Sequence, residues 1–261
     1  MTFKTDYRLE DYILGLGSRW EDFPEKVRER ARGCAVDLMT ALILGSRGRQ
    51  FKAGVNLAKK LYREGNLPLP GTRERFGFMG TAVALSHAAN SFDVDDGHNM
   101  IRGHPGASFV GGVLAAALDR DITYREYLEA LVVSYEAAIR WALAMQNFYG
   151  FLHSTGAYGA FGAAAGVGRI FGLDRVTLNN ALSVADYHAP MTPVMRAVEY
   201  PSMNKDGVPF GTLAGVTAVL SAMEGYQGRT HLLEMPEYGY LVDSIGREYE
   251  ILNLYFKPYA G

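Results

Sequence analysis

The sequence predicts an all-α protein built around one large domain of many helices. Hydrophobic residues recur every three or four positions along most of the chain, as on the buried face of a helix. Glycine, proline and capping residues stand where these periodic segments stop. An alternating pattern typical of a strand occurs only near the C-terminus. At 261 residues the chain is long enough to bury a substantial core.

The first strongly periodic segment lies between Pro24 and Gly45 and carries the single cysteine, Cys34, among its apolar positions. We therefore expect Cys34 to be buried. One cysteine excludes an internal disulfide and an iron–sulfur cluster held by this chain's own thiolates, which needs about three or four. A second helix is predicted over residues 76–92, and it delivers Asp93 to its C-terminal end.

The second half of the chain predicts four more helices. The longest begins at a capping box formed by Thr123 and Glu126. Three shorter ones follow, at residues 158–171, 175–187 and 210–224. The run of small residues at 154–168 has neither a preceding strand nor the G-x-G-x-x-G order of a phosphate-binding loop. It predicts a helix whose glycines and alanines allow neighbouring helices to approach closely.

The C-terminus departs from this pattern. Residues 248–257, EYEILNLYFK, alternate and are rich in β-forming side chains, so they predict a strand. A lone strand needs partners for its backbone groups. We therefore expect residues 1–245 to form the helical domain and residues 246–261 to begin a connection to a smaller α/β domain that this chain lacks.

Composition excludes several classes of function. The content of 48% hydrophobic and 21% charged residues is typical of a soluble globular protein. A net charge of −2 gives no general attraction to nucleic acid or to an anionic membrane. No continuous apolar stretch reaches the about 20 residues of a membrane span, and the N-terminus has no signal peptide pattern. We expect a cytoplasmic protein without nucleic-acid or membrane partners.

Ionisable side chains are densest between His87 and Pro105, in HAANSFDVDDGHNMIRGHP. Such groups either transfer protons or bind a divalent metal, and this segment alone leaves both chemistries open. Asp93 and His104 flank a loop between two helices, which favours a functional role for them. Asp96 follows Asp93 by three positions and would share its site if the helix continued. Asp95, Asp96 and His98 are interpreted as solvated loop residues or caps, and these three together with His87 as support, capping or local variation around the site.

Three further polar positions lie in weakly charged surroundings. His153 stands in GFLHSTG, where a histidine is more often a hydrogen-bonded core residue than a catalyst. Lys205 precedes a helix in PSMNKDG, and Lys257 ends the predicted strand. Taken singly, both lysines are more often solvent-facing, and a lysine on an edge strand also discourages aggregation.

Taken in order, these segments resemble the MmgE/PrpD family, which includes 2-methylcitrate dehydratase, cis-aconitate decarboxylase and iminodisuccinate epimerase. Five ordered matches cover nearly the whole chain: YILGL with RWEDFPEKVRERA, HAANSFDVDDGH with GHPGA, GFLHSTGAYGAFGAAAGVGRIFGLD, PSMNKDGVPFGTLAGVTAVLSAMEGYQG and LYFKPYAG. Two departures stand out: Gly97 replaces the threonine that relatives often have, and the loop from Gly97 to His104 is longer.

The resemblance implies a helical domain, usually dimeric, whose site is completed by a smaller α/β domain and uses neither metal nor organic cofactor. By motif match, the catalytic residues are Asp93, His104 and His153, and the substrate-binding residues are Lys205 and Lys257. The implied substrate is a small di- or tricarboxylate, and dehydration of a 2-methylcitrate-like molecule is the favoured reaction. His104 and His153 would then transfer protons while Asp93 orients an imidazole.

Two other functions remain open. The chain stops just after Lys257, before a family histidine and the second domain, which is also consistent with a truncated, non-catalytic helical domain that dimerises and needs a missing partner segment. A metal-dependent all-α enzyme is the third possibility, because clustered aspartates bind Mg²⁺ and aspartate with histidine binds transition metals. It is disfavoured because no second acid-rich helix faces the cluster.

Overall fold

The computed structural model describes residues 19–62, 64–200, 202–228 and 248–257. Eight α-helices lie within these ranges and confirm the all-α prediction. Their bounds are α1 Glu25–Gly45, α2 Arg49–Leu61, α3 Phe78–Ala89, α4 Ala107–Arg120, α5 Tyr124–Phe148, α6 Thr155–Phe171, α7 Arg175–Tyr187 and α8 Val208–Met223. The structure also contains two short pairs of antiparallel strands. Strand β1 Leu67–Pro68 pairs with β2 Arg75–Phe76, and β3 Gly97–His98 pairs with β4 Leu254–Tyr255.

Helix ends follow the local signals in the sequence. The Thr123 hydroxyl accepts a hydrogen bond from the Glu126 backbone, and the Glu126 carboxylate accepts one from the Thr123 backbone, so the predicted capping box is confirmed. Asp174 caps α7 by accepting from the Thr177 backbone at 2.8 Å. Gly172 ends α6 at a φ of 67°, a conformation that glycine adopts without strain.

The small residues of α6 make it the central helix of the domain. It packs against α4, α5, α7 and α8, and its residues from Thr155 to Gly168 are buried. A Cβ on Gly156 would lie 2.2 Å from the Gly207 carbonyl oxygen, and one on Gly159 would lie 2.4 Å from the Ser108 Cβ. The predicted close approach of neighbouring helices is therefore confirmed. Cys34 is also buried, as expected.

One segment, Lys205–Met223, is long and apolar enough to cross a membrane by length and composition. Half of that segment is buried inside the domain, and α8 packs on α6 and α7. Core helices of soluble proteins pass the same test, so it is weak evidence for a span. The domain has the character of a soluble helical protein, and its cytoplasmic location stays a prediction.

The predicted C-terminal strand is confirmed, but it is much shorter than residues 248–257. Glu250–Asn253 forms a 3₁₀ turn, and only Leu254–Tyr255 is a strand. Backbone groups here bond to side chains of α5: the Ile251 N–H donates to Glu136 at 2.9 Å, and Arg140 donates to the Glu248 carbonyl at 2.8 Å. Together with the short β3–β4 pairing, these contacts dock the segment on the helical domain. The predicted division at residue 245 stays a prediction.

Candidate functional site

The loop after α3 carries the acidic residues of the candidate site. Helix α3 ends at Ala89, and Asp93 adopts a left-handed conformation with a φ of 58°. The helix therefore does not extend to Asp96, and the expectation that Asp93 and Asp96 share one site through helical spacing is wrong. It is Asp95 whose carboxylate lies beside His104 together with that of Asp93.

His104 lies between two carboxylates just before α4. Its Nε2 is 3.2 Å from Asp93 Oδ1, and its Nδ1 is 3.2 Å from Asp95 Oδ2. Nδ1 also lies 2.7 Å from the Asp96 carbonyl oxygen. A carbonyl oxygen never donates a hydrogen bond, so Nδ1 must carry a proton. The ionised Asp93 likewise accepts from Nε2, and the ring is therefore a cation.

The electrostatics agree with this geometry. Burial alone would lower the pKa of His104, but the hydrogen bonds to Asp93 and Asp95 outweigh it and raise the pKa to about 11. The hydrogen bond from His104, together with the charge of Lys257, holds the pKa of Asp93 well below its usual range. At neutral pH the imidazole is therefore charged and Asp93 is ionised.

Lys257 reaches this group from the far end of the chain. Its Nζ lies 3.1 Å from Asp93 Oδ2 and donates to the Asp93 carbonyl oxygen at 2.7 Å. The pairing of β4 with β3 delivers the lysine, because β3 begins one residue after Asp96. One half-exposed carboxylate, that of Asp93, thus binds two cations, His104 and Lys257.

The three residues interpreted as solvated, Asp95, Asp96 and His98, are not solvated. Asp95 and Asp96 are fully buried, and His98 is almost so. Asp96 accepts from the Gly106 backbone at 3.1 Å and from the Tyr135 hydroxyl, which ties the loop to α4 and α5. Burial raises the pKa of Asp96 to about 7, although the Tyr135 hydrogen bond opposes that rise. The interpretation as solvated loop residues is therefore wrong, whereas capping and support describe Asp96 well.

The two other histidines of the segment serve local packing. His98 lies 3.7 Å from the Glu250 carboxylate and is buried between β3 and the C-terminal 3₁₀ turn. His87 Nδ1 bonds to the Val83 carbonyl within α3 at 2.8 Å, and burial lowers its pKa.

His153 is buried immediately before α6. Residues 152–154 pair with residues 192–194, and this pairing fixes the backbone of His153. Its ring centroid is 5.9 Å from that of Tyr158 and 5.8 Å from that of Trp141. Burial lowers the pKa of His153, so the ring is neutral at pH 7. Its Nε2 has no hydrogen-bond partner among the residues that the structure describes.

Tyr158 links the two candidate catalytic histidines. Its hydroxyl hydrogen bonds to the backbone of His104 and donates to Thr155 Oγ1 at 3.1 Å. A Cβ on Gly103 would lie 2.0 Å from this hydroxyl, so the residue before His104 must be glycine for the contact to form. His153 packs on the same ring, so one tyrosine contacts both histidine positions.

Lys205 lies in a tight turn before α8. Lys205, Asp206 and Gly207 all have positive φ, and the Gly207 carbonyl packs against Gly156. Asp206 lies 3.5 Å from Thr155 Oγ1 and interacts electrostatically with His104 and Lys205. Burial raises the pKa of Asp206. Within the described ranges Lys205 makes no ion pair, which leaves its ammonium available to an anion.

The structure thus brings three of the five predicted residues into direct contact: Asp93, His104 and Lys257. His153 joins them through Tyr158, and Lys205 lies beside Asp206, which reaches Thr155. Sequence reasoning gave no role to Asp206 or Tyr158, and it placed Asp95 only among solvated, capping or supporting residues. Asp206 lies in the segment PSMNKDG, which sequence analysis selected for Lys205. Nothing in the sequence distinguishes a buried loop carboxylate from a solvated one.

A divalent cation does not fit the histidine as it stands. Ligand atoms of Asp93, Asp95 and His104 lie within 4.8 Å of one another, a spacing that resembles a metal site. A metal binds imidazole through a nitrogen without a proton. Both nitrogens of His104 face acceptors and carry protons, so a cation would have to displace a proton that two carboxylates stabilise.

A separate cavity lies on the other side of Trp141. It measures about 660 Å³, and its lining includes Trp141, Asp186, His188 and Tyr226. None of the five predicted site residues lines it. The Trp141 indole donates to Asp186 at 2.6 Å and packs its ring on His153, so it forms the wall between this cavity and the histidine.

Comparison with known proteins gives one family. The family model described as the MmgE/PrpD N-terminal domain matches residues 8–252. No curated protein matches the chain. The matched range contains Asp93, His104, His153 and Lys205, while Lys257 lies five residues beyond it. The match spans most of the sequence and agrees with the all-α architecture, so the chain belongs to the MmgE/PrpD family.

Proposed function

We propose that this protein catalyses cofactor-independent acid–base chemistry on a small di- or tricarboxylate, foremost the dehydration of a 2-methylcitrate-like substrate. The observation that carries the proposal is the contrast between its two histidines. Interactions with two carboxylates raise the pKa of His104, while burial lowers that of His153. When the surroundings of two titratable groups shift their pKa values in opposite directions, the two groups commonly act as general acid and general base.

His153 is the proposed base. A neutral imidazole can accept a proton from the carbon next to a substrate carboxylate, and its buried Nε2 is unpartnered within the described part of the chain. Asp93 is a poor candidate for the same task, because His104 and Lys257 stabilise its ionised form and so reduce its basicity.

His104 is the proposed acid. Removing the proton leaves an electron pair that forms a carbon–carbon double bond as the carbon–oxygen bond of the hydroxyl breaks. The departing hydroxide has a conjugate-acid pKa of about 15.7. It therefore takes a proton even from an imidazolium whose pKa is about 11, and water is released. The positive ring also stabilises negative charge that develops before the proton moves.

Substrate carboxylates are proposed to bind the lysines. Asp93 already binds His104 through one oxygen and Lys257 through the other, so these two cations have the spacing to hold a carboxylate between them. Lys205 supplies a third positive charge at a second position, and a point charge on a flexible stem suits carboxylates of varied shape. Two such positions suit a substrate with two or three carboxylates.

The test is proton exchange followed by NMR in D₂O. The purified chain is incubated with 2-methylcitrate, citrate, cis-aconitate and iminodisuccinate in turn. We expect deuterium to enter at a carbon beside a carboxylate of at least one of them, because proton abstraction precedes net turnover. Absence of exchange with all four would favour the alternative of a non-catalytic helical domain that needs a partner segment.

Matched histidine variants locate the chemistry. We expect His153→Asn to reduce exchange by about 10² or more, the usual contribution of a general base. His188→Asn is the control, because His188 is exposed and lines the separate cavity. Equal losses in the two variants would place the reaction in that cavity and overturn the assignment.

We also propose that the chain forms a homodimer. Large apolar side chains are exposed in and after α7, and their exposed fractions reach 85% for Tyr187 and 98% for Tyr200. Clustered exposed apolar groups commonly mark an interface between proteins. Sedimentation equilibrium should give twice the chain mass, and Tyr200→Glu should shift the equilibrium toward monomer. A wild-type monomer at all concentrations would contradict this proposal.

A further inference from the structure

We infer that Asp95 is a positioning residue that fixes the His104 ring, with Asn90 holding Asp95 in place. The inference deepens the proposed function and rests on it for the catalytic task of His104. Asp95 itself is not expected to touch the substrate, because its carboxylate lies behind the imidazole, on the Nδ1 side and away from Nε2. Asp93, on the Nε2 side, is half-exposed and faces the solvent.

Asn90 anchors the carboxylate. Its Nδ2 donates to both oxygens of Asp95, at 2.9 and 3.1 Å, and lies 3.4 Å from Asp93 Oδ1. Asn90 is buried at the end of α3, so the rigid helix sets the position of its amide. One amide group therefore fixes the two carboxylates that enclose His104.

The consequence for His104 is a fixed ring and a fixed proton. A carboxylate behind an imidazole orients the ring and stabilises its protonated form. Asp95 Oδ2 and the Asp96 carbonyl oxygen both accept from Nδ1, and two acceptors on one nitrogen prevent the ring from flipping. Nε2–H is then the only ring donor directed outward, toward Asp93.

Other charged groups also act on this ring. The groups facing or influencing it are Asp93, Asp95, Asp96, Lys257, Asp206 and the Tyr158 hydroxyl. Lys257 opposes the charge of the ring, and the half-exposed Asp93 is partly screened by solvent. Asp95 is fully buried and its carboxylate contacts the ring directly, whereas that of Asp96 bonds to Tyr135 and Gly106, so substitution of Asp95 should affect the titration of His104 more strongly.

The experiment follows the ring nitrogens of His104 by NMR in the full chain labelled with ¹⁵N-histidine. In the wild type we expect both nitrogens to stay protonated beyond pH 8. Asp95→Asn keeps the shape of the side chain and removes its charge, so the titration midpoint should fall by about 1–3 pH units. Asp96→Asn is the matched control, because Asp96 is equally buried but its carboxylate bonds to Tyr135 and Gly106.

The outcomes separate this inference from the proposed function. A wild-type midpoint near 6.5, the value of a free histidine, would overturn it, and so would equal midpoints in Asp95→Asn and the wild type. If Asp95→Asn does not fold, the wild-type protein still decides: an Nδ1 proton in fast exchange with water would overturn the inference. If the His104 titration midpoints are as expected but no substrate takes up deuterium at a carbon beside a carboxylate, only the proposed function fails.

A kinetic readout completes the test where exchange is observed. Asp95→Asn should lower kcat by about tenfold or more, because a mobile ring spends less time in the reactive geometry. KM should change little, since Asp95 lies behind the ring on its Nδ1 side and is not expected to touch the substrate. A variant with raised KM and unchanged kcat would assign Asp95 to substrate binding and overturn the positioning role.

Discussion

Lys257 Nζ lies 3.1 Å from Asp93 Oδ2, although 164 residues separate the two along the chain. The short pairing of β3 with β4 makes this contact possible. The segment that sequence reasoning interpreted as the start of a second domain thus supplies a cation to the acidic loop of the helical one.

Replacing this lysine should separate function from stability. We expect Lys257→Gln to weaken the binding of a tricarboxylate by tenfold or more, because one of its proposed anchoring charges is lost. The free energy of unfolding should change by less than about 1 kcal/mol, since the partner Asp93 is half-exposed and solvent screens the pair. Calorimetric titration and urea denaturation give the two values. Loss of stability without loss of affinity would contradict the prediction.

Stability should fall as the pH rises above about 6.5. The pKa of His104 is raised to about 11 in the folded protein, so between these values the folded state holds a proton that the unfolded state has released. The stabilisation that His104 contributes is fully present below its pKa in the unfolded state. It is lost as the pH rises toward its pKa in the folded state, and the free energy of unfolding falls by at most about 1.4 kcal/mol per pH unit. Urea denaturation from pH 6 to 10 measures the free energy of unfolding at each pH. In His104→Gln this free energy should depend less on pH.

Tyr135 should matter more at pH 8 than at pH 5. Its hydroxyl donates to the buried Asp96 and opposes the rise in pKa that burial causes. Tyr135→Phe removes that donor, so ionising Asp96 in the folded state becomes less favourable. We expect a loss of about 1–3 kcal/mol at pH 8 and a smaller one at pH 5, where Asp96 is protonated. Equal losses at both values would contradict the role given to the hydroxyl.

Gly156→Ala should destabilise the domain, against the usual trend. In an exposed helix this substitution stabilises by about 1 kcal/mol. Here the new methyl group would lie 2.2 Å from the Gly207 carbonyl oxygen, and relieving that overlap should cost about 1–3 kcal/mol. Gly150→Ala, where no atom lies within 4 Å of the added carbon, is the control. Thermal unfolding should show a clear fall in Tm for Gly156→Ala and no such fall for Gly150→Ala.

Local signals in the sequence were sufficient to predict the positions of most helices. The predicted segments 175–187 and 76–92 correspond to α7, with the same bounds, and to α3, which is shorter at both ends. Capping at Thr123 and the small residues of α6 needed only near neighbours to be interpreted. These features depend on interactions within a few turns, so hydrophobic period and cap chemistry determine them.

Residues whose roles depend on distant contacts were not predictable in this way. Asp95 and Asp96 follow Asp93 in a polar loop, and only the packing of α4 and α5 over that loop buries them. The alternation at residues 248–257 predicted a strand because the pattern is local. Glu136 and Arg140 on α5 instead bond to this backbone, and no local pattern reveals such partners.

The pairing of β3 with β4 also sets the order in which the site can assemble. Residues 97 and 98 leave the ribosome long before residues 254 and 255, so during synthesis the acidic loop and His104 are present before their lysine. Closing so long a loop becomes favourable only after the helices have packed. The Asp93–Lys257 contact is therefore expected to be among the last native contacts to form, and its appearance would report completion of folding.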